Sequence, residues 1–193
     1  MALFVVGLTL FFAAHSVSIV AGPWRDRMVA RLGATRWQGL YSLVAAAGFV
    51  LIVQGYGAAR ESAAIVYQPP SWAHHITFLF MLPVFPLLIA AYLPGRIRAL
   101  TRHPMLLAVI FWSAGHLAAN GTVADVLLFG VFLVWAVADR ISMACRTPRA
   151  IPGLPPGVLN DVIAVVAGLV VYLAFVFRVH VWLFGVSPLA AMG

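Results

Sequence analysis

The chain has 193 residues, of which 64% are hydrophobic and only 9% charged. A soluble domain carries roughly 25% charged residues, so this composition excludes a water-facing surface over most of the molecule. The formal net charge is +7, every Lys/Arg-type cation is an arginine, and these lie in short loops between apolar runs; membrane topology explains that pattern, and nucleic-acid binding is not expected.

Crossing a bilayer takes about 20 apolar residues as a helix, which satisfies its own backbone hydrogen bonds. The runs do not alternate apolar and polar residues as barrel strands do. The expected fold is therefore an all-α polytopic membrane bundle of about six transmembrane helices, forming a single domain over residues 1–193.

The first span is expected at about 3–21, with His15 well inside it. It is no cleavable signal peptide, because its positive charge follows the apolar stretch instead of preceding it. Arg25, Arg27, Arg31 and Arg36 lead to a second span at about 37–57, and a loop with Arg60 and Glu61 comes next. The third span, at about 72–93, opens on Pro69-Pro70-Ser71, with Ser71 placed for an N-cap. His74 and His75 at its start read as interfacial, with a metal or quinone contact as the alternative, and Pro83 and Pro86 predict a kink.

Arg96, Arg98 and Arg102 precede the fourth span, at about 104–119, where Pro104 suits the first turn. Asn120-Gly121-Thr122 turns that span into the fifth, at about 122–143, and Thr122 with Asp125 has capping-box spacing. Asp139-Arg140 ends the fifth span, with Asp139 expected to meet an arginine of another loop. Arg146, Arg149 and the break Ile151–Gly157 follow. Asn160 or Asp161 is then placed to cap a sixth span at about 159–184, near whose end Arg178 and His180 snorkel. The lone Cys145 excludes an internal disulfide.

Ten of the twelve arginines fall on one side of a six-span chain. The positive-inside rule makes that side cytoplasmic and puts both termini outside, in the periplasm for a multi-pass protein of a bacterial inner membrane.

Ionisable groups within a membrane are costly and mark functional candidates. His15 and His116 are two such groups on separate spans. Ser113 and Trp112 precede His116 and Asn120 follows it on one helical face, and Gly115 allows close approach by a neighbouring helix or a flat ligand. Two such imidazoles suit the axial positions of haem b; the simpler reading of each is a polar side chain bonded to a neighbouring helix. Covalent c-type attachment is excluded, because no Cys-x-x-Cys-His occurs. His15 lies about one turn to the cytoplasmic side of its span's centre and His116 about one turn to the outer side, an offset that tilt would reconcile. Arg102-His103-Pro104 brings arginine and histidine to a helix N-terminus, which reads as positive-inside charge or as an anion or cofactor contact.

Phe12-Ala13-Ala14-His15-Ser16, Arg31-x-Gly33-x-x-Arg36 leading into Leu40-Tyr41-Ser42, Arg102-His103-Pro104, Trp112-Ser113-Ala114-Gly115-His116 and Asp139-Arg140 together resemble the NnrU family over residues 1–150. That family includes bacterial proteins linked to nitrogen-oxide respiration (denitrification) and the plant zeta-carotene isomerase. The resemblance implies haem b with His15 and His116 as its axial ligands. It puts Ser113 where the isomerase has a cysteine that exchanges at the iron, so a ligand switch of that kind is not expected of this chain. A more distant likeness, through Arg102-His103-Pro104, runs to membrane methyltransferases that use S-adenosylmethionine.

Three functions follow as expectations. The first is a haem-b membrane protein that handles nitrogen oxides or isomerises an apolar polyene, which would make it an enzyme. The second is an S-adenosylmethionine-dependent membrane transferase built on Arg102 and His103. The third is a non-catalytic assembly subunit of a membrane complex or oligomer.

Overall fold

A computed structural model of the protein describes residues 1–146 and 155–192. Arg149 and the 151–154 part of the expected break lie outside the described residues. Those residues are helical throughout, apart from loops and one isolated bridge between Ile65 and Thr122. Five helical stretches are long and apolar enough to span a membrane: Ala2–Val20, Ala34–Glu61, Ala73–Ala90, Val123–Cys145 and Val158–Phe184. A sixth apolar helix, Pro104–Ala119, has 16 residues and measures about 24 Å, short of a typical hydrocarbon core. The expected all-α membrane bundle is thus the observed fold. Large apolar side chains such as Leu43, Phe49, Val134, Val170 and Phe177 point outward, which suits lipid and not water.

The helices pack as two compact units, residues 1–66 with 122–128, and residues 67–121 with 129–193. In the first unit α1 (Ala2–Val20) lies antiparallel against α3 (Ala34–Glu61) at close range. A β-carbon on Gly7 would sit 2.6 Å from the Ile52 nitrogen, one on Gly48 2.6 Å from that of Phe11, and one on Gly55 2.5 Å from that of Phe4. Small residues let membrane helices approach until backbone meets backbone, and van der Waals packing then holds them.

Between these spans, where the sequence suggested a loop, stands α2 (Gly22–Leu32), opened by Pro23. At 11 residues it is about 16 Å long, too short to span. It ends at Gly33, whose φ of 83° and ψ of 154° are accessible to glycine almost alone. That conformation explains the glycine of the Arg31-x-Gly33-x-x-Arg36 stretch.

In the second unit the expected proline kink is a break between α4 (Ala73–Met81) and α5 (Val84–Ala90), since Pro83 and Pro86 bring no N–H to the helical ladder. The Tyr172 hydroxyl donates to the Phe78 carbonyl just before the break. Ser71 is not the N-cap of α4. That position falls to Trp72, whose backbone is already helical, and the turn bonds Ala73 N–H to Pro70 and His75 N–H to Trp72 satisfy the first donors. Next come α6 (Arg96–Thr101), α7 (Pro104–Ala119, with Pro104 in its first turn as expected), and α8 (Val123–Cys145), which begins in the first unit and continues into the second. The last span runs through α9 (Val158–Ala174), a π-turn (Phe175–Val179) and α10 (His180–Phe184).

The cap expected from Asn160 or Asp161 is placed differently. Asp161 accepts the backbone N–H groups of Arg96 and Ile97 at 2.8 and 3.0 Å, so it caps α6 and not its own helix. Asn160 donates to the carbonyls of Pro94 and Pro155. Side-chain bulk at Gly95 would collide with the Asp161 carboxylate, 2.4 Å from a β-carbon there. Against α5, Gly168 of α9 approaches Pro86 so closely that a β-carbon would lie 2.4 Å from its nitrogen. Val84, Leu87 and Ala108 form a buried core here, with Met81, Phe111 and Trp112 packed on it.

Candidate functional site

His15 stands near the end of α1, half-buried. Its Nδ1 lies 2.7 Å from the Phe11 carbonyl one turn back, and its ring stacks on Phe11 at 4.0 Å with Tyr41 edge-on at 5.3 Å. A carbonyl oxygen only accepts, so Nδ1 carries the proton and the lone pair of the neutral ring sits on Nε2. A cavity of about 230 Å³ opens beside this ring. His15 and Ser18 of α1, Arg25 of α2, and Trp37, Gln38 and Tyr41 of α3 line it.

His116, in the second unit, repeats the arrangement. Its Nδ1 lies 2.8 Å from the Trp112 carbonyl, its ring stacks on Phe129 at 4.7 Å, and Trp112 sits tilted at 5.4 Å. The same reasoning puts its lone pair on Nε2. Trp112 also meets Phe129 and Phe132 edge-on, so α8 returns alongside α7 after the Asn120-Gly121-Thr122 turn. Asn120 donates to the His116 carbonyl at 2.9 Å. Ser113 is fully buried and its hydroxyl donates to the Val109 carbonyl at 2.7 Å. At Gly115 α4 makes the close approach expected of a neighbouring helix, with Phe80 2.9 Å from where a β-carbon would stand and Thr77 donating to its carbonyl.

Arg102 and His103 form the joint between α6 and α7. Arg102 is the one non-glycine residue with positive φ among those described, at 60°. The His103 N–H reaches back 2.7 Å to the Thr101 carbonyl, which makes Arg102 the centre of a γ-turn of the rare, strained hand. Arg140 braces the turn by donating to that carbonyl at 3.2 Å. Asp139 pairs with Arg146, one helix end further along its own segment, and not with another loop as expected. Asp139-Arg140 and Arg102-His103 therefore share one neighbourhood.

Burial first, and the Arg140 guanidinium second, push the His103 imidazole below its ordinary value, with Asp139 opposing and Arg102 and Arg146 adding to the push. A depressed value means that the folded state resists protonation. Whatever stability this group contributes is present above pH 6.5 and is lost as pH falls through the lowered value. Histidine-labelled NMR should find His103 titrating at lower pH than a free imidazole, and Arg140→Gln should shift it back up. A His103 value at or above the ordinary one would contradict the burial argument.

One constellation was not anticipated. Asp125, 1% exposed, has the expected capping box with Thr122, its carboxylate accepting the Thr122 N–H at 3.0 Å and hydroxyl at 2.7 Å. It also accepts the Tyr56 hydroxyl at 2.5 Å and faces Arg60 Nε at 3.7 Å. The signal available in the sequence was Tyr56 and Arg60 four residues apart, hence on one helical face. His74 contacts the Ser71 carbonyl, His180 lies 2.7 Å from that of Val186, and among the described residues no three His, Cys, Asp or Glu side chains gather as a metal site.

Apolar outward faces and helices of bilayer length define a multi-pass α-helical membrane protein. The family model described as NnrU protein matches residues 3–188. The chain belongs to the NnrU family. Comparison with curated proteins finds no match, and comparison with solved structures finds none either.

Proposed function

We propose that this NnrU-family membrane protein binds haem b, whose iron Nε2 of His15 and Nε2 of His116 would hold. The supporting observation is the pair of Nδ1-to-carbonyl bonds, 2.7 Å at Phe11 and 2.8 Å at Trp112. Metal-binding histidines characteristically donate their other ring N–H in this way, which fixes tautomer and ring orientation and raises basicity. The donor set therefore fits a haem iron, which needs one or two imidazoles and no larger cluster. When bound, the haem would supply an iron that takes up nitrogen oxides or polarises an apolar polyene once one of the two imidazoles gives up its position. The chain's own part is to hold the two rings: Phe11 and Tyr41 fix His15, and Trp112 and Phe129 fix His116. Ser113 donates its hydroxyl proton to the Val109 carbonyl one turn back. The arginine asymmetry supports a cytoplasmic-membrane location with both termini outside.

The test is an absorption spectrum of protein purified after haem-supplemented expression. A Soret band is expected, and His15→Ala and His116→Ala should each shift it or lose most of it. Absence of the band sinks the reading, and band positions unchanged in both variants remove the ligand assignment. A second reading, binding of S-adenosylmethionine, draws support from Arg140 reaching Thr101 beside Arg102 and His103. Calorimetry with that ligand and the Arg102→Ala variant decides it.

A further inference from the structure

The cavity beside His15 has a lining that the iron-ligand reading does not use. At about 230 Å³ it is smaller than the roughly 300–1,000 Å³ of a pocket that encloses a whole ligand. It has room for one end of a larger molecule. Two of its walls are aromatic, Trp37 and Tyr41, and two lining groups are strong donors, the Arg25 guanidinium and the Gln38 amide. Arg25 brings the permanent positive charge to this lining.

Arg25 gives one N–H to the adjacent Asp26 at 2.9 Å. Asp26 is 60% exposed, and an ion pair in water holds its partner weakly. The guanidinium fork has five N–H donors and accepts a second carboxylate readily. The Arg25 side chain itself is only 23% exposed, so a carboxylate reaching it from within the cavity meets less competition from water than Asp26 does.

Haem b is a flat apolar ring with two propionate carboxylates on one edge. We propose that Arg25, assisted by Gln38, binds a haem propionate in this cavity, fixing which edge of the macrocycle faces the arginine-rich end of the first unit. This rests on the haem reading above. Arg25 acts as a positioning residue: it sets the rotation of the ring about the His15 bond while the histidine holds the iron.

The experiment titrates apoprotein with iron protoporphyrin IX and, separately, with its propionate dimethyl ester, following the Soret band. A charge-assisted contact made by the acid and lost by the ester should weaken the ester about tenfold in the unaltered protein. Arg25→Gln should bring the two ligands to within about twofold of each other, and Arg25→Lys should keep part of the preference, as expected for a point charge without the planar fork. Each value is a ratio measured on one protein, so a misfolded fraction cancels. Equal binding of acid and ester by the unaltered protein overturns this proposal and leaves the haem reading standing. An unchanged preference in Arg25→Gln also overturns it. No shift of the Soret band from its position in the free ligand, with either compound, overturns both together.

Discussion

Asp125→Ala is expected to destabilise the protein by about 3 kcal/mol, within the range for breaking a buried charged network. Three donors converge on that carboxylate: the Tyr56 hydroxyl, the Thr122 N–H and the Thr122 hydroxyl. Removing the acceptor strands these half-buried donors, and each hydrogen bond to a charged group is worth about 1.5–3 kcal/mol. Arg60 adds little to the loss, because its side chain is 41% exposed and water replaces the carboxylate. Tyr56→Phe removes one of the three donors and leaves the capping box, so it should cost about 1.5 kcal/mol. Thermal unfolding of the detergent-purified variants orders the two. If Asp125→Ala proves no worse than Tyr56→Phe, the carboxylate does not organise this corner.

Gly55→Ala should cost a further 2–3 kcal/mol or so by the same measurement, at the upper end for overpacking. Its β-carbon would stand 2.5 Å from the Phe4 nitrogen and 2.7 Å from the Phe4 Cα. Both atoms belong to the backbone of α1, so no rotamer change relieves the clash and the two helices must separate. Gly57 lies on the same helix with nothing within 4 Å of a β-carbon. There the identical change should be neutral or stabilise by up to about 1 kcal/mol, because alanine lowers the entropy of the unfolded chain. Equal behaviour at the two positions would falsify the close approach.

The spans were legible because a bilayer imposes length and composition without regard to partners. The break at Pro83 and Pro86 and the start at Pro104 were legible too, since a missing N–H is a local fact. The Thr122–Asp125 box could be read because its partners are three residues apart. Asp161 looked locally like a cap for its own helix, yet its partners lie 64 and 65 residues earlier. Nothing in the run Val158–Asp161 announces α6. The same limit hid Tyr56 from Asp125, and hid the glycines of α1 and α3 from the backbones they meet. Asp139 was expected to pair across loops and instead found Arg146.

The histidines stood out because imidazole is costly in lipid. Their tautomers did not, because these depend on ring orientation toward the carbonyl one turn back. The wall that Arg25 gives the His15 cavity needed α2, and an arginine-rich stretch of 11 residues reads as a loop.

The Asp161 cap has a consequence for biogenesis. A ribosome delivers Arg96 and Ile97 some 65 residues before the carboxylate that receives their N–H groups. Until the final span is made, the amino end of α6 lacks the carboxylate that caps it. Nascent chains halted before residue 158 should therefore expose this joint to protease, and completion of the last span should close it.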